Sequence, residues 1–155
     1  MQFDRKEYLF GLYGVQLKDL LNYRKKVKVA ENMSLEQLTD KLRNECSECL
    51  KRHARMRDED RSPDFFEEVK PYVDEVHLLI DTWKEQCESW IRLNRPKHVR
   101  SQQIDHAEDM MKQFAVQSFY KETGKKRFVQ SIQAVQYTLD TLLRAIREEG
   151  NDDQT

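Results

Sequence analysis

Phe66, Val69, Val73, Val76, Ile80, Trp83, Cys87 and Trp90 recur at alternating steps of three and four residues. That spacing places eight large apolar side chains along one face of a single helix. A seam this regular stays dry only where other helices bring matching seams to it, so the stretch demands a bundle of packed helices. The chain supplies the partners. Leu35, Leu38, Leu42, Cys46, Cys49, Leu50, His53 and Met56 form one face, and Ile104, Ala107, Met111, Phe114, Ala115 and Ser118 another. Phe128, Ile132, Val135, Leu139, Leu142 and Ile146 repeat at steps of four, three, four, three and four. With only four Gly and three Pro in 155 residues and 35% charged side chains, long solvated helices are favoured and hairpins are starved of turns. The expected fold is all-α, an up-and-down antiparallel four-helix bundle.

Punctuation sets the expected boundaries. Ser34 with Gln37 makes a capping box that opens the first bundle helix, which runs out in the charged stretch from Arg57 to Arg61. Ser62 as cap and Pro63 at the first helical position open the second. Pro71 predicts a kink, with Phe66 and Val69 held in phase with Val73 and Val76. Asn94-Arg95-Pro96 ends that helix, Ser101 caps the third, Gly124 breaks the chain after it, and Gly150 closes the fourth. Connections of a few residues favour antiparallel neighbours. The bundle is thus expected over 33–150, followed by a polar tail, 151–155.

Residues 1–32 read as an N-terminal extension. Tyr8, Leu9, Leu12, Val15 and Leu20 allow a short amphipathic helix, although Gly11 and Gly14 weaken it by about 1 kcal/mol each relative to Ala. Arg24-Lys25-Lys26-Val27-Lys28 reads as a basic linker. Because Met33 directly precedes a capped helix, two readings stand: an extension outside the functional domain, or a fifth element that serves as a partner-binding arm.

The 27 Lys and Arg nearly cancel 28 Asp and Glu, leaving no global field to recruit nucleic acid or an anionic membrane. No apolar run approaches the roughly 20 residues of a membrane span, and no leader pattern opens the chain, so a cytoplasmic protein is expected. Three cysteines, an odd number, fit reduced thiols. No Gly-rich phosphate cradle occurs, and no nucleophile stands beside a base and an orienting group. The expectation is a protein without enzymatic activity or cofactor.

Bundles often house metals, so the His, Cys and carboxylate residues need weighing. Asp74 with His77, and His106 with Asp109, have i, i+3 spacing, but both pairs fall off the seams, where Val73, Val76, Leu139 and Leu142 take the inward places. Cys46-Ser47-Glu48-Cys49, with His53 one turn on and Cys87 on the next seam, could supply a tetrahedral Cys₃His zinc site. The favoured reading is bland. A mid-helix pair gains no help from a helix N-terminus, and buried thiols behave as small apolar groups. Two basic clusters remain, Arg92, Arg95, Lys97, His98 and Arg100 at one connection and Lys125, Lys126 and Arg127 at another. In an alternating bundle they lie at opposite ends. Phe65 neighbours Phe66 but cannot share its direction, so it either packs under a connection or anchors a partner. Phe65, Arg95, Lys97, Lys126 and Arg127 are therefore the candidate partner contacts.

Asp64-Phe65-Phe66-Glu67-Glu68-Val69-Lys70-Pro71 resembles a segment of the YppE-like family, small uncharacterised proteins of Gram-positive bacteria. The likeness continues in order through Trp83, Arg95-Pro96-Lys97-His98-Val99, Gln103-Ile104, Val116-Gln117-Ser118, Lys125-Lys126-Arg127-Phe128 and Tyr137-Thr138-Leu139. It covers 64–143 well and 33–63 loosely. The resemblance implies a cytoplasmic up-and-down four-helix bundle with no assigned activity, cofactor or catalytic residue, and a domain that begins near Met33. On residues and resemblance together, the leading expectation is a non-enzymatic module that binds another protein or itself. A metal-binding bundle is the alternative, and nucleic-acid binding through a basic end is weaker still.

Overall fold

The computed structural model describes residues 17–152, which form five helices and no strand. The chain divides into two compact units, 1–33 and 34–155. The described part of the first is α1, Leu17–Glu31. Most of the expected N-terminal helix, at Tyr8, Leu9, Leu12 and Val15, lies outside the described residues. The basic run from Arg24 to Lys28 is no linker but part of α1. Its Arg and Lys residues are good helix formers, and neither Gly nor Pro interrupts the stretch.

The second unit is the bundle. α2, Leu35–Asp58, opens on the expected capping box: the Ser34 amide donates to Gln37 Oε1 at 2.9 Å and the Gln37 amide to Ser34 Oγ at 3.1 Å. Its predicted face is buried from Leu35 to Met56, with Leu50 half-buried. α3, Lys70–Asn94, begins differently from expectation. Neither Ser62 nor Pro63 starts it; a π-helical turn, Phe65–Val69, precedes it, capped by Asp64. Asp64 Oδ1 accepts from the Glu67 amide at 3.0 Å, and Glu68 Oε2 accepts from the Asp64 amide at 2.8 Å. The returning acceptor lies four residues on rather than three because the wider turn holds an extra residue.

This π turn stands directly before Pro71, where the sequence predicts a kink, and its wider backbone relieves the pressure of the proline ring on the carbonyl four residues back. The extra residue also turns Phe66 out of phase with the seam behind it. Phe66 is 74% exposed, whereas Val69, Val76, Ile80, Trp83 and Cys87 are buried and Val73 and Trp90 half-buried. α3 ends where the sequence indicated, with Arg95 in the left-handed region at φ 45° and its amide on the Ile91 carbonyl.

α4, Ser101–Gln117, and α5, Lys125–Asp152, complete the unit. Ser101 is the first helical residue, not the cap. Arg100 takes the cap position, and Gln103 Oε1 accepts its amide at 3.0 Å. Gly150 does not close α5, which continues through Asn151 to Asp152; a glycine lowers helix propensity by about 1 kcal/mol without ending a helix by itself. Residues 153–155 of the expected tail lie outside the described range.

Side-chain pairs fix the antiparallel order. Glu36 meets Arg147 at 2.9 Å and Arg43 meets Asp140 at 2.7 Å, so the start of α2 lies against the end of α5. Thr39 meets Trp83, and Glu45 meets Tyr72, across α2 and α3. The four helices close a ring around Trp83, Phe128, Leu38, Leu42, Met56 and Ile80, and their side chains fill its interior.

Between α3 and α4 the half-exposed boundary is held by charge. Glu108 Oε2 lies 2.6 Å from Lys84 Nζ and its Oε1 3.0 Å from Lys112 Nζ, while Lys112 also reaches Asp81 at 2.6 Å. Burial works against the Glu108 carboxylate, but the two ammonium groups prevail and hold it below its ordinary range. A carboxyl depressed on folding contributes stability above its unfolded pKa of about 4.3 and loses it as pH falls through the folded value. Glu108→Gln is therefore expected to flatten the acid limb of stability against pH. Thermal melts of both proteins at a series of pH values below about 5 check this; parallel limbs would refute it.

Candidate functional site

The four residues proposed as zinc ligands do not come together. Cys46, Cys49 and Cys87 are buried free thiols. Cys49 Sγ lies 3.6 Å from Tyr72 Oη and 3.9 Å from Arg52 Nη1. His53 is turned to the connection between α4 and α5, where its Nε2 meets the Thr123 carbonyl at 3.0 Å and its ring lies 4.4 Å from that of Phe128. Among the described residues no group of three or more His, Cys, Asp or Glu is placed to hold a metal. Burial pushes the Cys46 thiol up to about 12, with Cys49 and Glu45 adding to the rise. It pushes Cys49 and Cys87 up as well. The thiolate that metal binding and nucleophilic attack both require is thereby disfavoured. The weaker carboxylate pairs also fall apart: Asp74 pairs with Lys70 at 2.6 Å, His77 Nε2 meets the Lys112 carbonyl at 3.3 Å, and His106 and Asp109 are exposed.

Beside Cys49 the structure brings together a cluster that sequence reasoning missed. The Arg52 guanidinium stands 4.0 Å from the Tyr72 ring centroid and 4.4 Å from that of Phe119. Its Nη1 donates to Ser118 Oγ at 2.9 Å, and Ser118 in turn donates to the Ala115 carbonyl. Tyr72 Oη donates to Glu45 at 2.6 Å. Burial, followed by the neighbouring Cys49 and the bond to Glu45, raises the Tyr72 hydroxyl well above its usual range, so it remains a neutral donor. With every member engaged, this arrangement fastens α2, α3 and the end of α4; it presents no free nucleophile or base.

The exposed candidates separate by end. Phe65 is 49% exposed, and its ring meets that of Phe66 edge to face with centroids 5.2 Å apart, both on the π turn. Lys126 and Arg127, at the start of α5, share that end of the bundle. Arg95 and Lys97 lie at the other, as the alternating topology requires. All five are exposed. Two concavities mark the described surface. A shallow groove of about 650 Å³ runs over Leu35, Trp90 and Leu93 between Glu85, Glu88 and Arg92. A smaller cleft of about 310 Å³ lies between α2 and α5, floored by Leu50, Ala54 and Val129 and edged by His53, Arg57, Asp58 and Lys125.

These features define an antiparallel four-helix bundle with a side-chain-filled interior, a π turn at one corner and, among the described residues, no helix long and apolar enough to cross a membrane. The chain belongs to the family described as the bacterial domain of unknown function DUF1798, whose model matches residues 39–146. It is 30% identical over 120 residues to the uncharacterised protein YppE of Bacillus subtilis strain 168, covering 77% of this chain and 98% of that one. The crystal structure of YppE matches at a TM-score of 0.73 over 76% of this chain and 95% of its own, at 30% identity. A crystal structure of a Listeria innocua protein of unknown function matches at 0.72, with 25% identity over 78% and 97% of the two chains. The resemblance carried by the separated sequence motifs is confirmed.

Proposed function

We propose that this chain is a non-enzymatic cytoplasmic interaction module that docks another protein, or a second copy of itself, at the end of the bundle marked by Phe65 and Phe66. The observation that carries the reading is the pairing of these two rings in solvent, on a π turn that takes Phe66 out of an otherwise continuous seam. Local π-helical geometry recurs at functional sites, and aromatic side chains are frequent anchors of binding energy. The buried, protonated thiols and the filled interior favour binding over chemistry. Phe65→Ser with Phe66→Ser tests it. Light scattering after size-exclusion chromatography, with pull-down from a cell extract, is expected to show a complex or dimer that the double variant loses while its melting curve is retained. A strict monomer with no retained partner, or an association unchanged by the substitutions, would overturn the proposal.

A further inference from the structure

The seam of α3 outruns the bundle that covers it. Trp83 and Cys87 have no solvent exposure, but Trp90, the next seam position, is only half-buried, and Leu93, three residues further, is 83% exposed. Both line the groove of about 650 Å³ at the end of α3 away from the aromatic pair, and Leu35 of α2 is its third apolar wall. Apolar side chains gathered in one exposed concavity mark a contact surface more than scattered ones do.

The charges along this groove are ordered by sign. Glu85 and Glu88 come first along α3, Arg92 follows, and Arg95 stands at the C-cap, with the small side chain of Ser89 between the two signs. All four charged residues are exposed. Neither carboxylate has an ion pair among the described residues. Lys84, the neighbouring cation, is held by Glu108 at 2.6 Å and Asp105 at 3.4 Å. Glu88 and Arg92 have the four-residue spacing of helical ion pairs, yet Arg92 Nη2 turns to Ser89 Oγ at 3.3 Å. Acid before base, with a small residue between, is a pattern complementary to itself when two such helices run antiparallel. Crossing at Ser89 sets Glu85 and Glu88 of each helix towards Arg92 and Arg95 of the other.

We propose that this groove is covered by the same groove of a second copy of this chain, the two α3 helices lying antiparallel about a two-fold axis near Ser89. Trp90 and Leu93 of each copy lose their solvent exposure against the other. Every charge pair forms twice, as an isologous contact requires. From Glu85 to Arg95 the face is about 15 Å long, so the interface is small and the dimer a weak one that forms as concentration rises. The dimer rests on the reading of the chain as an interaction module and divides its contacts between two ends. The second copy takes this end, and Phe65 and Phe66, beyond the far end of the 25-residue α3, remain open on each copy for a different protein.

Sedimentation velocity of the full chain over rising concentration tests this, with a monomer–dimer equilibrium expected for the parent. Glu85→Arg with Glu88→Arg makes the face all positive, and Arg92→Glu with Arg95→Glu makes it all negative. Each double variant is expected to weaken self-association by about tenfold or more. The melting temperature of dilute protein should hold in both, because the four side chains are exposed. An equimolar mixture of the two is expected to form a heterodimer at concentrations where neither associates alone. Leu93→Ser should weaken the parent dimer by about tenfold through lost apolar burial. Phe65→Ser with Phe66→Ser should leave the dimer intact, whereas its effect on a partner retained from cell extract bears on the aromatic pair alone. A parent that stays monomeric at every concentration, homodimers that persist in both charge variants, or a mixture that remains monomeric would overturn the assignment. A dimer abolished by the Phe65 and Phe66 substitutions would overturn it as well, by placing the second copy at the other end.

Discussion

Trp83→Ala is expected to destabilise the bundle by about 3–5 kcal/mol, the range for truncating a large aromatic side chain in a packed core. Trp83 has no solvent exposure, and its indole Nε1 donates to Thr39 Oγ1 at 3.0 Å. Thr39 is itself buried and donates to the Leu35 carbonyl at 2.7 Å. The chain of bonds thus runs from the middle of α3 into the first turn of α2. Removing the ring leaves a cavity where the two helices meet and frees the Thr39 acceptor. Since a domain of this size has a net stability of about 5–15 kcal/mol, the substitution consumes a large share of it.

A second variant separates shape from hydrogen bonding. Thr39→Val keeps the side chain's volume but strands the indole N–H, at a cost of about 1–3 kcal/mol. Urea unfolding followed by far-ultraviolet circular dichroism measures both, independently of the lost tryptophan fluorescence. A Trp83→Ala protein within about 1 kcal/mol of the parent would show that the core closes around the void, contrary to this account.

The next largest effect is expected at Arg52. Two cation–π contacts at about 0.5–2 kcal/mol each and one hydrogen bond at about 0.5–1.5 kcal/mol put the loss in Arg52→Ala at about 2–4 kcal/mol, allowing for partial solvation. Arg52→Lys discriminates the cause. An ammonium retains the charge but lacks the broad guanidinium that reaches both the Tyr72 and Phe119 rings while donating to Ser118, so lysine is expected to recover less than half of the loss. Hydrogen exchange should accelerate first at the end of α4, where Ser118 and Phe119 lose their tie to α2. If lysine restored full stability, the shape of the guanidinium would carry no weight and simple charge would suffice.

Much of the bundle was legible because its information is local. The inward faces of α2 and α4 were read correctly from Leu35 to Met56 and from Ile104 to Ser118, and α5 follows its predicted seam with only Ile146 partly uncovered. Those faces depend on a period that any stretch of the chain reveals by itself. The errors cluster where one residue more or less changes the phase. Phe66 fitted the stripe numerically, but the π turn before Pro71 rotated it outward. Arg24 to Lys28 looked like a linker by charge alone, although nothing in it breaks a helix.

The candidate site was less legible. Phe65 stood out because it could not share the direction of Phe66. Arg52 gave no signal, since an arginine on a charged helix reads as solvated until Tyr72 and Phe119 arrive from other elements. Cys46, Cys49, His53 and Cys87 shared or faced neighbouring seams, yet the side chains found separate neighbours. What the sequence determined by itself was the set of helices, their buried faces and their antiparallel order, because side-chain period and short connections act over a few residues. The tertiary structure alone decided which polar groups meet: His53 and Thr123 are 70 residues apart, Arg52 and Ser118 are 66 apart, and their encounters depend on the rotation of whole helices within the closed ring.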